Sequence, residues 1–380
     1  MAKLNIILTC IGGYGALTLL EDFLRSEISN KINFVGTHSD PVFLARSPLK
    51  TNYLVPSASK TTKSYIEATK TIIAKENIDL IIPKSDAEVK AVYPILSEFP
   101  CKTFLPDPRE IYGTQDKLDF FEILKNANVP AAQTFQIKSL DQISLILTKL
   151  EKVRNRYWLR VKSAGKAGAY GATWVKDEKE AAEWVNTFCK KESIDVSEFT
   201  LSEFLPGRLF ECLVLFKNGD LKLAKIYENL RFANGGDPQG DGVGSTPDLA
   251  KSVSDEVARK ALRNAIQAVK SASYKCGSLP NGIYHLSAKQ NDSGEPCITE
   301  VNIGRTPSTV SIFNRIGKYN VAEYFLNYAL DQEIEDPDPA IDIPSETVFA
   351  IRSLDQPLCI RSESRMNAAK VVNSGYGEIH

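Results

Sequence analysis

The sequence predicts a chain of mixed α/β and α+β class: an N-terminal doubly wound α/β domain, then a larger domain with a glycine-rich loop and long antiparallel strands. Three observations carry that expectation. Apolar strand-like runs alternate with helical repeats over the first third of the chain. The glycine-rich stretch AGKAGAYGA, 164–172, follows directly on the short run YWLRVK. Two long apolar runs, 209–217 and 220–228, meet at Asn218–Gly219, a hairpin signal. At about 150 residues per domain, a chain of 380 is expected to hold two or three.

The first domain, 1–113, reads in order. LNIILT (4–9) is a buried strand, the turn GGYG follows, and Leu17, Leu20 and Leu24 recur at helical spacing. KINFVG (31–36) is a second strand. A helix over 62–76 feeds the strand IDLIIP (78–83), the polar loop KSDAE and a helix to about residue 98. KTFLP (102–106) closes the unit as a last strand, punctuated by Pro106 and Pro108.

The second domain is expected over 114–335, with a subdomain at about 130–205. Thr114 is read as the cap of a helix whose Leu118, Phe121 and Leu124 form one apolar stripe, ended by Asn128 and Pro130. A strand QTFQI and a helix from Ser139 precede YWLRVK (157–162). Asp177 and Glu180 then open a helix, and EFTLSE (198–203) is a strand that exits through Leu205–Pro206–Gly207. After the hairpin, the stretch 229–247 carries five glycines and reads as a long loop. A long helix starts at Ser254, and a second hairpin, 283–289 and 297–302, turns around Asn291–Gly294. Residues 336–380 are expected to end in a small β element, VFAIRSLDQPLCIRS.

Composition excludes several function classes. Lys plus Arg is 46 against 47 Asp plus Glu, a net charge of −1, which argues against a nucleic-acid or anionic-membrane binder. The seven cysteines (10, 101, 189, 212, 276, 297 and 359) form no C-x-x-C pair, so neither a disulfide framework nor a zinc site is indicated. Those at 189, 212, 276 and 297 lie in apolar periodic segments and read as core. Histidines occur only at 38, 285 and 380, too few for a His-rich metal centre. The apolar start, 3–20, is broken by Gly12, Gly13 and Gly15 and has no A-x-A site, so it is not read as a signal peptide. No run reaches the ~18 apolar residues of a membrane span. A cytoplasmic protein without membrane or nucleic-acid partners is expected.

A dinucleotide site is weighed and rejected. The turn is G-G-Y-G rather than G-x-G-x-x-G, although Asp40 after the second strand sits where a ribose-binding acid would. Ser85, Asp86 and Glu88 follow IDLIIP at the carboxyl end of a strand, where open α/β sheets bind ligands; helix capping is the alternative.

Four features then fall in a telling order: Asp116–Lys117 at a helix start, Arg160/Lys162 before the glycine loop, Glu203 with Leu205 after a strand, and TEVNIGR (299–305) on the last strand. Their order and spacing resemble the ATP-grasp superfamily, and most of all its carbamoyl-phosphate-synthetase-like carboxylate–amine ligases, over residues 1–335. The first domain looks like the unit that precedes the ATP-grasp fold, and is often a dimer surface in related proteins, so the resemblance admits a homodimer. It implies ATP and Mg2+ as cofactors, a lid formed by the glycine loop, an adenine-reading hinge at Glu203 and Leu205, and a ribose-binding carboxylate near Glu211. It also implies nucleotide contact by the glycine-rich segment 235–244.

Charge arithmetic points the same way. A triphosphate of about four negative charges needs cations and oriented N–H groups. Lys117 with Arg160 or Lys162 supplies the cations, and alternation leaves the choice between the last two open. Gly165, Gly168 and Gly171 let backbone amides approach phosphate oxygens. Glu300 and Asn302, two apart on one strand, share a face and offer hard oxygens to Mg2+, with Arg305 close behind for a γ-phosphate or acyl phosphate. The pattern's further acid, usually thirteen positions before the Glu, falls on Ser287. A register setting Ser287 opposite Glu300 and His285 opposite Asn302 puts all four on one face, so a weak or absent second Mg2+ is expected. His285 itself reads as a packed residue.

The reaction implied is activation of a small-molecule carboxylate as an acyl phosphate, attack by an amine, and release of ADP and phosphate, with Arg305, Lys162 and Arg160 as catalytic residues. A small-molecule kinase of the same fold, or a nucleotide-binding regulatory protein without turnover, are the alternatives.

Overall fold

The computed structural model describes residues 3–162, 169–239, 242–244, 246–352 and 370–371. Its first unit is β1 (Leu4–Leu8), α1 (Tyr14–Leu24), β2 (Ile32–His38), α2 (Pro41–Leu44), β3 (Thr51–Leu54), α3 (Thr62–Glu76), β4 (Leu80–Ile82) and α4 (Asp86–Leu96). The strands pair in parallel in the order β3-β2-β1-β4. Ile6, Ile7 and Leu8 are fully buried, as are Leu80, Ile81 and Ile82 to within 1%. Such unbroken apolar runs are what a parallel sheet covered on both faces requires. Gly12 is obligatory in the turn after β1: its φ is +88°, and a Cβ there would stand 1.7 Å from the Phe43 carbonyl oxygen.

One expectation for this unit is corrected and one strand is added to it. KTFLP is not a strand; only Lys102 bridges to Leu80, while Phe104 and Leu105 turn into the cores. The short strand β3 was not foreseen. Asp40 caps α2 by accepting from the Val42 amide at 2.8 Å, a local role that agrees with rejecting a dinucleotide site.

α5 (Pro108–Gln115) and α6 (Lys117–Asn126) lead to the second unit. Thr114 lies inside α5, its hydroxyl bonded to the Glu110 carbonyl, and Asp116 caps α6 through the Leu118 and Asp119 amides. The buried stripe of α6 is Phe120, Ile123 and Leu124 rather than Leu118, Phe121 and Leu124. Next come β5 (Thr134–Gln136), α7 (Ile143–Leu147), β6 (Tyr157–Val161), β7 (Thr173–Val175), α8 (Glu178–Glu192) and β8 (Phe199–Glu203). Their four strands form an antiparallel sheet, β5-β8-β6-β7, with a hydrophobic core of its own around Leu159, Val185 and Phe199.

The last part is β9 (Leu209–Lys217), β10 (Asp220–Phe232), β11 (Pro247–Ser252), α9 (Glu256–Lys275), β12 (Gly282–Gln290), β13 (Pro296–Ile303), α10 (Val310–Arg315), α11 (Val321–Ala329), β14 (Phe349–Ile351) and β15 (Lys370–Val371). Asp255, one residue past Ser254, caps α9. The central sheet runs β13-β12-β9-β10-β11-β14. One face packs on α9, the other on α10, α11 and the first unit, so two cores are shared between the first unit and this sheet. The expected loop is shorter, since 229–232 belong to β10 and Pro247 to β11. The expected C-terminal β element is not separate: β14 joins the central sheet and β15 pairs with β3, while Cys359 lies outside the described residues. Among the cysteines, 101, 212 and 297 are buried, whereas 189 and 276 are only half-buried.

Candidate active site

A cleft of about 700 Å³ opens between the four-stranded sheet, the central sheet and the carboxyl end of the parallel sheet. Its floor is built by alternation. Ser287 sits opposite Glu300 on one side and opposite Glu211 on the other, and His285 sits opposite Asn302. The expected register therefore holds from Tyr284 to Ser287. A bulge between Ser287 and Ala288 then shifts it by one.

Arg160 and Lys117 line the cleft. Arg160 donates from Nη2 to the Thr299 carbonyl at 2.9 Å, and its Nη1 lies 3.8 Å from Glu300 Oε2. Burial lowers the pKa of Arg160, with Glu300 opposing; burial likewise lowers that of Lys117. Among the described residues, the Arg160 Nε has no hydrogen-bond partner. Lys162 lies elsewhere. Its ammonium is 2.9 Å from Asp116, its carbonyl accepts from the Lys117 amide, and it is not among the residues that line the cleft.

At the end of β8, Glu203, Phe204 and Leu205 line the cleft together with Trp158, Leu209 and Ile298. Burial raises the pKa of Glu203. Lys289 approaches the Phe204 ring at 5.3 Å, and burial pushes its pKa down to about 8. Gly242 and Gly244 of the glycine-rich segment also reach the cleft. Gly165 and Gly168 lie outside the described residues. Gly171 has φ +66°, and a Cβ there would be 2.5 Å from Val161 Cγ2, so packing and backbone conformation both require glycine.

Toward the parallel sheet, Arg305 donates to Asp86 at 2.7 Å and to the Asn302 side-chain oxygen at 2.5 Å. Ser85 and Glu88 form a capping box on α4, so the loop after β4 contributes caps as well as a cleft-facing acid. Lys84 is half-buried and bonded to the Thr306 carbonyl at 2.8 Å; burial, with Arg305 adding, pushes its pKa down to about 7. Lys84, Lys289 and the Asp116–Lys162 pair were missed in the sequence, where each is an ordinary charge near a turn. Tyr227, fully buried on β10 and lining this cleft, is legible only through the hairpin register that sets it opposite Glu211.

No family model and no curated protein matches the sequence. Solved structures do match the fold. The biotin carboxylase domain of 2-oxoglutarate carboxylase from Hydrogenobacter thermophilus, a dimer bound to MgADP, ADP and bicarbonate, aligns with TM-score 0.70 and 12% identity, covering 92% of this chain and 74% of that one. An L-amino acid ligase from Bacillus licheniformis gives 0.64 at 14%, covering 87% and 75%. A carboxyaminoimidazole ribonucleotide synthase from Aspergillus clavatus, complexed with ATP, gives 0.62 at 15%, covering 88% and 78%. With a parallel sheet leading into two antiparallel sheets that enclose the cleft, the chain has the ATP-grasp fold.

Proposed function

We propose that the protein is an ATP- and Mg2+-dependent ligase that joins a small-molecule carboxylate to an amine and releases ADP and phosphate. The observation that carries this reading is the set of groups gathered in one cleft. Phe204 and Leu205 give it an apolar stretch, Lys117 and Arg160 give it cations, and Glu300, Asn302 and Arg305 line it as well. Arg160 lies 3.8 Å from Glu300 and Arg305 2.5 Å from Asn302, so cations flank the oxygen pair. A base, a triphosphate with its metal, and an acceptor need such a set. The solved structures of this fold described with ATP, ADP or MgADP support it.

The donor set fits Mg2+. Glu300 and Asn302 offer a carboxylate and an amide oxygen from one strand face, and Glu300 is 38% exposed, open to an entering ion. When bound, the ion would offset charge on the phosphates. Lys117 and Arg160 would hold the β- and γ-phosphates, Lys as a point charge and Arg as a fork. Of the two bases left open by alternation, Arg160 takes this role, since Lys162 is committed to Asp116. A substrate carboxylate would attack the γ-phosphorus, breaking its bond to the ADP oxygen and giving an acyl phosphate. The amine would then attack the acyl carbon, phosphate would leave, and the amine proton would pass to solvent. Arg305 is placed to steady the transferred phosphoryl group, and closure of the cleft would keep water from the intermediate.

The test uses purified protein with ATP, Mg2+ and a panel of carboxylates, each with and without amines. ADP and phosphate released only with both substrates is the expected result. A stable phosphorylated product would make the protein a kinase, and nucleotide binding without turnover would make it a regulatory protein. AMP and pyrophosphate would exclude the mechanism.

A further inference from the structure

His285 stands on β12 at the cleft floor, 8% exposed, with Phe313 packed edge-on at 5.9 Å. Its two ring nitrogens face different strands. Nδ1 lies 3.3 Å from Asn302 Nδ2 on β13, and Nε2 lies 3.1 Å from Glu211 Oε2 on β9. The row continues past Asn302, whose Oδ1 accepts from Arg305, itself held by Asp86.

The polarity of this row is dictated by its ends. A guanidinium only donates, so the Asn302 atom against Arg305 is the carbonyl oxygen. The other amide atom is then the NH2, which also only donates. His285 Nδ1 must accept from it, and the ring proton sits on Nε2. That proton faces Glu211, a carboxylate that also accepts from the Ser287 hydroxyl at 2.8 Å. The approach to Glu211 is close but not aligned as a full hydrogen bond, so it acts as a charge facing the ring N–H. Flipping the amide would set NH2 against a guanidinium and oxygen against a ring lone pair. An amide oxygen has two lone pairs; Arg305 occupies one, and the other is left for a cation.

We infer that His285, backed by Glu211, is a positioning residue that locks the Asn302 carboxamide with its oxygen presented to the metal. This rests on the proposal that Glu300 and Asn302 hold Mg2+. It also gives Glu211 a task other than binding ribose: it fixes the histidine tautomer that keeps Asn302 oriented.

The test is a Mn2+ titration read by electron paramagnetic resonance, with ADP present and no turnover, on the wild type and three variants. His285→Phe keeps an aromatic ring but offers no acceptor. His285→Gln restores an acceptor oxygen and a donor at similar reach. Asn302→Ala removes the ligand itself. Expected is a loss of about 10- to 100-fold in Mn2+ affinity for His285→Phe, recovery of most of it in His285→Gln, and metal-free ADP affinity unchanged in both. Wild-type Mn2+ affinity in His285→Phe, or equal losses in the Phe and Gln variants, would overturn the inference while a loss in Asn302→Ala kept the metal reading intact. Wild-type affinity in Asn302→Ala would overturn both.

Discussion

Lys162 Nζ sits 2.9 Å from Asp116 Oδ2, tying the end of β6 to the N-cap of α6. The hydrogen bond from Lys162 leads the forces that hold the Asp116 carboxyl below the usual range against the opposing effect of burial. Two bases that alternation places on one face thus have different employment. Arg160→Ala is expected to weaken ATP binding about tenfold or more, the scale of a lost charged hydrogen bond. Lys162→Ala should weaken it far less and instead lower stability by about 1 kcal/mol. Calorimetry and thermal melts on the two variants separate these outcomes; equal losses of nucleotide affinity would show that the pairing with Asp116 gives way in the complex.

Ser287 offers a second test. Its hydroxyl already donates to Glu211, so Ser287→Asp sets two carboxylates against each other. The metal-free variant is expected to lose about 1–3 kcal/mol of stability. Mg2+ with ADP should then raise its melting temperature more than that of the wild type. A variant as stable as wild type without metal would count against the Glu211 contact.

Glu110 sets a pH dependence. It is fully buried on α5, neither carboxylate oxygen makes a well-formed hydrogen bond to a described residue, and burial pushes its pKa up to about 7. The folded state therefore keeps a proton that the unfolded chain releases from about pH 4.5 upward. Stability falls as pH rises through this window and levels off above about 7. Glu110→Gln is expected to flatten that slope and to stabilise the protein at pH 8, by at most on the order of 3 kcal/mol. Parallel urea titrations at pH 5 and pH 8 would show it, and an unchanged slope in the variant would rule Glu110 out as its source.

Beneath the cleft, Lys225 is fully buried and its ammonium meets Asp342 at 2.9 Å and the Tyr319 carbonyl at 2.6 Å. Removing one partner strands a buried charge, so Asp342→Ala should cost about 3–5 kcal/mol. The double variant Lys225→Met/Asp342→Leu should recover most of that loss. Urea denaturation distinguishes the two, and a double variant no better than the single would mean the pair also orders the 336–344 segment.

The face shared by Glu300, Asn302, Ser287 and His285 was legible because strand alternation is strict and Asn291–Gly294 set the turn. The cap of α6 was not. Thr114 and Asp116 are both good capping residues, and the choice between them is made by Lys162, far away in sequence. β3 was hidden because Thr51 and Asn52 are polar, and its strand character comes from pairing with β2. KTFLP misled for the opposite reason: its apolar residues are buried by packing between sheets, not by a ladder. A single histidine could not be told from a packed one until its neighbours on β9 and β13 were known.

The four-stranded sheet keeps its apolar residues to itself, whereas the other two sheets share theirs. Arg305–Asp86 and Lys84–Thr306 further bolt the parallel sheet to the central one. Amide protons should record this division. Those of β5, β6, β7 and β8 are expected to exchange with solvent deuterium through a partial opening of lower free energy, while β1, β9 and β12 exchange only on global unfolding. Bound nucleotide, which neither the opened nor the unfolded state can hold, should slow exchange in both groups, and the first should still open at the lower free energy, because it alone can leave the rest of the molecule without dismantling a common interior.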